Sequence, residues 1–273
     1  TFQLLMGALY DIDKSRFNAI IFRKEKDDLT NIIRDSQALY KGEGAYNRSK
    51  DDMTWYFNSG ATLSLTYYAG AYKDFIDRFQ GRQYAYLGID EITQIDYPKF
   101  KYLQSINRNA CGIKNRIIGT CNPDPTSWVR TFISWWIGDD GYPIPERDGK
   151  VRYVYMKGED VNEAVWGDTR EEVYEQCKDE IDRLWEHTWG NVNDTPAGYT
   201  PQRMFTKSVT FIRAELKYNK ILVKSDPSYF ANLAQQSDEQ KARDLMGNWN
   251  FMSMGDDIIK MSDLQACFDN AHQ

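Results

Sequence analysis

Tyr84-Ala85-Tyr86-Leu87-Gly88-Ile89-Asp90-Glu91-Ile92-Thr93 is an apolar run that stops abruptly at two carboxylates. A run without polar interruption suits a strand buried on both faces, as in a parallel sheet covered by helices. Arg116-Ile117-Ile118-Gly119-Thr120-Cys121-Asn122-Pro123 repeats the design, apolar and then small and polar. Ligands of open α/β sheets lie beyond the carboxyl ends of such strands, which is where Asp90, Glu91, Thr120 and Asn122 fall. A carboxylate pair there suits hydrolysis of a nucleoside triphosphate: the first orients Mg²⁺ and its waters, the second positions the attacking water. By itself the pair also reads as a helix N-terminus, where carboxylates are favoured in the first turn.

The 273 residues, 41% hydrophobic and 27% charged, are enough for one large or two modest domains with a sizeable core. A net charge of −6 counts against extensive wrapping by DNA, although a local basic strip remains compatible with it. Cys111, Cys121, Cys177 and Cys267 are scattered, and with two histidines in the chain they do not form a zinc pattern. This cysteine usage suits a reducing, intracellular setting. No apolar run is long enough to span a bilayer. Aromatics at 14% are first of all core material.

From the amino end, helical spacing predicts a largely buried helix from Thr1 to about Asp13. A strand over Phe17–Phe22 and a helix over Leu29–Leu39 follow, a rhythm that points to a doubly wound α/β sheet. Thr54–Phe57, the turn Asn58-Ser59-Gly60 and Ala61–Tyr68 read as a β-hairpin. Ala71–Phe79 is a connector or short helix, and Tyr97–Asn107 a helix with Pro98 in its first turn. Val151–Tyr155 and Ser208–Ile212 read as strands, Asp168–Trp189 as one long charged helix, and Asn191–Gln202 as a loop. Asp226–Gly247 reads as two short helices, and the last twenty residues, with Asp256 and Asp257, as the start of a linker.

The ordered set resembles the ATPase domain of the large terminase subunit, the DNA-packaging motor of tailed bacteriophages and prophages. Ile20-Ile21-Phe22-Arg23-Lys24 is similar to the family's strand ending in Phe-Arg, and the hairpin around Asn58-Ser59-Gly60 to the one before its central strand. Leu87–Glu91 looks like its Walker B motif, and Gly119-Thr120-Cys121-Asn122-Pro123 like the motif that couples hydrolysis to motion. Phe211-Ile212, Ser225-Asp226-Pro227-Ser228-Tyr229, Leu233 and Gly247-Asn248-Trp249 echo the end of that domain. No single motif is specific; their order is.

The resemblance implies an α/β fold of the P-loop NTPase (ASCE) type, a mainly parallel sheet flanked by helices with a small helical lid. It implies an ATPase core over residues 1–205, the lid over 206–255, and over 256–273 a linker to a nuclease domain that the chain does not contain. Asp90 would hold Mg²⁺ through its waters, and Glu91 would be the catalytic carboxylate. Thr120 and Asn122 would sense the γ-phosphate of ATP. The family's Gly-Lys-Ser/Thr phosphate loop is not in the chain and is expected just ahead of Thr1, which would then supply a hydroxyl to Mg²⁺. On that expectation the chain reads as a fragment that binds ATP poorly by itself. Where many members have Arg-Gly this sequence has Gln80-Gly81, which leaves Arg82 as the candidate arginine finger.

Implied partners are double-stranded DNA, a portal protein, the small terminase subunit and further copies in a ring, in the cytoplasm of a bacterial host and without a membrane. Asn107–Arg116 is a candidate DNA-facing loop. Two other readings remain open to the sequence. One is a helicase-like P-loop motor; the other is a non-enzymatic binding module using Trp128, Trp135 and Trp136.

Overall fold

The apolar runs pair side by side. The computed structural model describes residues 1–49, 52–189, 198–214, 224, 227–236 and 238–250. It divides into two units, Thr1–Asn122 and Pro123–Gln273. The first unit contains, in chain order, α1 (Phe2–Leu9), β1 (Asn18–Arg23), α2 (Leu29–Leu39), β2 (Gly44–Tyr46) and β3 (Thr54–Phe57). After these come β4 (Thr62–Tyr67), α3 (Tyr72–Phe79), β5 (Tyr86–Asp90), α4 (Tyr97–Ile106) and β6 (Arg116–Thr120).

Its six-stranded sheet has the order β2-β3-β4-β1-β5-β6. The four strands β4-β1-β5-β6 are parallel, while β2 and β3 are joined antiparallel. The unit is thus mixed α/β with a mainly parallel sheet, as the apolar runs imply. The hairpin forms at Asn58–Gly60, where Gly60 takes φ +94°, a conformation that favours glycine. Its second strand is also the parallel neighbour of β1, so the hairpin belongs to the central sheet.

Side chains alternate across a strand, and both faces of this sheet are covered. Ala19 and Ile21 face a core with Leu4, Leu5 and Ala8 of α1 and Leu29 and Ile32 of α2. Phe22 instead packs on Phe75 and Phe79 of α3, with ring centroids 6.4 and 5.2 Å away. All five residues of β5 are buried. Helix α1 is fixed in register by two buried phenols: Tyr86 donates to the Leu4 carbonyl at 2.8 Å and Tyr40 to that of Leu5 at 2.7 Å. A side chain at Gly7 would strike the Tyr86 hydroxyl at 2.6 Å, so this glycine allows the close approach. The helix ends at Leu9, short of the predicted Asp13.

The second unit contains α5 (Trp128–Phe132), β7 (Val151–Tyr155), β8 (Val165–Gly167), α6 (Arg170–Gln176) and α7 (Lys178–Trp189). These are followed by α8 (Pro201–Phe205), β9 (Lys207–Thr210), α9 (Pro227–Ala234) and α10 (Asp238–Asp244). Strands β8-β7-β9 make a separate antiparallel sheet, so the two strands predicted here do not extend the parallel one. The long charged helix is two helices that meet at Cys177. Val173, Cys177 and Ile181 form one buried stripe with Tyr155 across the break. Much of the predicted 191–202 loop, Ser225-Asp226, Asp256, Asp257 and the linker over 256–273 lie outside the described residues.

Among the described residues no helix is long and apolar enough to cross a membrane.

Candidate functional site

Parity along the strands assembles the site. Tyr86 faces α1, and with a period of two Gly88 and Asp90 share its face. By the same count Ala19, Ile21 and Arg23 share a face of β1, and Arg116, Ile118 and Thr120 a face of β6. The register pairs Asp90 with Thr120 and Phe22 with Ile89, which puts Arg23 one step on, beside Asp90. The tips of three parallel strands therefore present a cation, a carboxylate and a hydroxyl to the amino end of α1.

Asp90 is only 3% exposed, and each oxygen has a hydroxyl donor. Thr1 Oγ1 donates to Oδ2 and Thr120 Oγ1 to Oδ1, both at 2.6 Å. The Thr1 side chain makes no capping bond to α1, which leaves its hydroxyl for Asp90. Arg23 Nε lies 3.3 Å from Oδ2 without an aligned hydrogen bond, so this contact is an ion pair. Burial pushes the Asp90 pKa up, but the Thr1 and Thr120 hydroxyls, the Thr1 amino group 3.5 Å from Oδ1 and the Arg23 charge outweigh it, and the pKa falls below the usual value. Asp90 is held ionised.

Its neighbour is driven the other way. Burial, and then the negative charge of Asp90, raise the Glu91 pKa, with Arg23 and a hydrogen bond from the Asn122 main-chain N–H opposing. Glu91 is also the one described non-glycine residue with positive φ, at φ 54° and ψ 52°. A left-handed residue with a side chain costs on the order of 1–2 kcal/mol, and such strain gathers at functional sites. The conformation turns the chain sharply out of β5 into the 3-10 turn Ile92–Gln94. Glu91 makes no side-chain cap to that turn, and the next helix, α4, is entered at Asp96. The pair thus opens a 3-10 turn without capping it by a side chain, and it does not start an α-helix.

Residues 1–266 match the family described as terminase large subunit, T4likevirus-type, N-terminal. The chain belongs to this terminase family. Two crystal forms of the large terminase from a thermophilic bacteriophage are similar in structure, each over 47% of the chain. One has 17% identity and a TM-score of 0.37, the other 15% and 0.35. The match covers 32% and 31% of those chains, so the terminase chain corresponds to about a third of their length. No curated protein matches the sequence.

Of the residues that the sequence singles out in this terminase chain, Thr1, Asp90, Glu91 and Thr120 are brought together, and Asn122 joins them through its main chain. Arg82 is not among them. Gln83, next to it, accepts a hydrogen bond from Asn18 at the start of β1, so Arg82 enters at the opposite end of β5. Arg82 is exposed, its guanidinium 5.9 Å from the Phe79 ring centroid. Asn107–Arg116 also lies at that opposite end, leading into β6, and Arg116 there is paired with Asp11.

Sequence reasoning passed over two members of the site. Arg23 ends an apolar run just as Asp90 does, which is the signal that marks it. Tyr68, 2% exposed, donates its hydroxyl to the Glu91 carbonyl at 3.1 Å. Nothing in its local sequence distinguishes it.

The tryptophans are packing elements of the second unit. Trp136 is 1% exposed and donates to the Lys150 carbonyl. Trp135 carries Arg147 and Arg152 on its ring at 4.7 and 4.8 Å, and Trp128 packs on Phe132.

Proposed function

We propose that the chain is the ATPase motor part of a viral DNA-packaging terminase, a P-loop (ASCE-type) domain with a helical lid. In this reading it hydrolyses ATP to drive double-stranded DNA into a procapsid. The observation that supports it best is the divergence of two adjacent carboxylates: Asp90 locked in its ionised form, Glu91 raised and held on a strained backbone. Pairs of carboxylates whose environments separate their pKa values are suited to distinct acid–base roles.

In the proposed reaction Glu91 orients a water for in-line attack on the γ-phosphorus and receives its proton, while the bond to the ADP oxygen breaks. Asp90 and the Thr1 hydroxyl are hard oxygen donors of the kind Mg²⁺ takes, and Mg²⁺ commonly keeps several waters and only one or two carboxylates. Bound with ATP, the ion would neutralise charge on the phosphate oxygens. Arg23, with its unaligned Nε–H, remains close enough to hold the Asp90 charge. Thr120 and the Asn122 main chain touch the two carboxylates directly, a placement that suits sensing of the γ-phosphate. Arg82, distant in its own chain, would act on the site of a neighbouring copy in a ring. The small subunit, the portal and contacts to DNA phosphates complete the proposed assembly, in the cytoplasm of a bacterial host.

The test is Glu91→Gln in the full-length protein. DNA-stimulated ATP hydrolysis should be lost while binding of ATP with Mg²⁺ is kept; substantial turnover in the variant refutes the assignment.

A further inference from the structure

We propose that Tyr68 is a positioning residue for hydrolysis, holding Glu91 in the left-handed conformation that aims its carboxylate. This rests on the proposed role of Glu91. A left-handed glutamate persists only where its surroundings over-determine it, and the restraints are visible. The Glu91 carbonyl accepts the Tyr68 hydroxyl at 3.1 Å and the Gln94 N–H at 2.9 Å. The carboxylate accepts the Asn122 N–H. Gln94 belongs to the turn that Glu91 opens and moves with it. Tyr68 directly follows β4, outside that turn, and supplies an external anchor.

The anchor is itself fixed. The Tyr68 N–H donates to the Arg23 carbonyl and the Ala69 N–H to that of Lys24, both at 2.9 Å, tying the end of β4 to the tip of β1. The two following carbonyls are each held by a cation. Arg78 donates to Ala69 at 3.1 Å, and Lys99 Nζ donates to Gly70 at 2.9 Å. Lys99 is only 7% exposed and Arg78 lies on the Tyr67 ring at 4.3 Å, so neither cation swings freely. The β4–α3 corner is thus a rigid bracket, and the buried Tyr68 phenol is its reach to the catalytic turn. The same corner binds the main chain of Arg23, so both residues that flank Asp90 are placed by one element.

The experiment is Tyr68→Phe in the full-length protein, which keeps the buried ring and deletes only the hydroxyl. ATP turnover with DNA and Mg²⁺ is measured together with equilibrium binding of a non-hydrolysable ATP analogue. kcat should fall about tenfold, equivalent to about 1.4 kcal/mol in the barrier, with analogue affinity and KM unchanged. An unchanged kcat overturns the proposal. So does an equal loss of analogue affinity, because that would make Tyr68 a general support of the pocket. Glu91→Gln run in parallel separates the two claims: if it stays active, the role of Glu91 fails whatever Tyr68→Phe does.

Discussion

The hydroxyl of Thr120 and the carboxylate of Asp90, opposite one another in the β5–β6 register, share a hydrogen bond of 2.6 Å. Deleting it while keeping the side-chain shape leaves a buried carboxylate oxygen without that donor. Thr120→Val should cost about 1.5–3 kcal/mol in denaturant unfolding, the range for hydrogen bonds to charged groups. Thr120→Ser, which keeps the donor, should recover most of it.

Asp90 and Glu91 predict opposite pH dependences. Asp90 has a depressed folded pKa, so its contribution to stability is fully present above its unfolded pKa and lost as pH falls through the folded one. Glu91 has a raised folded pKa, so it lowers stability once ionised and relieves that cost as pH falls through the raised value. Glu91→Gln should therefore unfold at higher denaturant than wild type at pH 8, with the gap closing toward pH 4.

The Arg23–Asp90 ion pair predicts a coupling. The Asp90 side chain is 4% exposed and that of Arg23 20%. Breaking a buried pair from one side strands the other charge and commonly costs 3–5 kcal/mol. Because Arg23 keeps some solvent, Asp90→Asn should cost about 2–3 kcal/mol. In Arg23→Met protein the same change should cost clearly less, and a double-mutant cycle on unfolding free energies measures the difference. Equal costs in both backgrounds would remove the ion pair from the account.

How much of this was legible in the sequence depends on what each feature requires. Strand β5 and its acidic tip were readable because an uninterrupted apolar run ending in carboxylates is a local pattern. The break at Cys177 was not, because Val173, Cys177 and Ile181 keep a four-residue spacing straight through it. The place of β7 was not either, since its alternation is the same in a separate antiparallel sheet as in the main one. The site divides in the same way. Asp90, Glu91, Thr120 and Asn122 stand at the ends of runs, whereas the part played by Tyr68 follows from the route of β4 back to β1, a long-range pairing.

Among the tryptophans of the second unit, burial separates two that are adjacent in sequence. Trp136 is enclosed and touches the rings of Trp135 and Trp166 edge-on at 5.2 and 5.7 Å. Trp136→Ala should destabilise by about 3–5 kcal/mol, the usual cost of emptying such a site. Trp135 is partly exposed and chiefly supports two guanidiniums, so Trp135→Ala should cost less. Thermal unfolding of the two variants distinguishes a core residue from a surface one.

Arg82 tests the assembly rather than the fold. It is exposed, lies ahead of β5 at the end away from Asp90, and its guanidinium stands 5.9 Å from the Phe79 ring centroid. Arg82→Ala should therefore leave unfolding of the isolated protein within about 0.5 kcal/mol of wild type, as for other surface substitutions. A guanidinium reaching the γ-phosphate of a neighbouring copy stabilises transition-state charge, and such residues are worth about a thousandfold or more in turnover. Assembled on a portal with DNA, the variant should lose most of its ATP hydrolysis. In rings mixed from Arg82→Ala and Glu91→Gln copies, hydrolysis should partly return if the arginine acts between subunits, because an Arg82→Ala subunit keeps Glu91 and can receive its arginine from a Glu91→Gln neighbour. No recovery in such mixtures would place the function of Arg82 within its own chain, which its position ahead of β5, at the end away from Asp90, opposes.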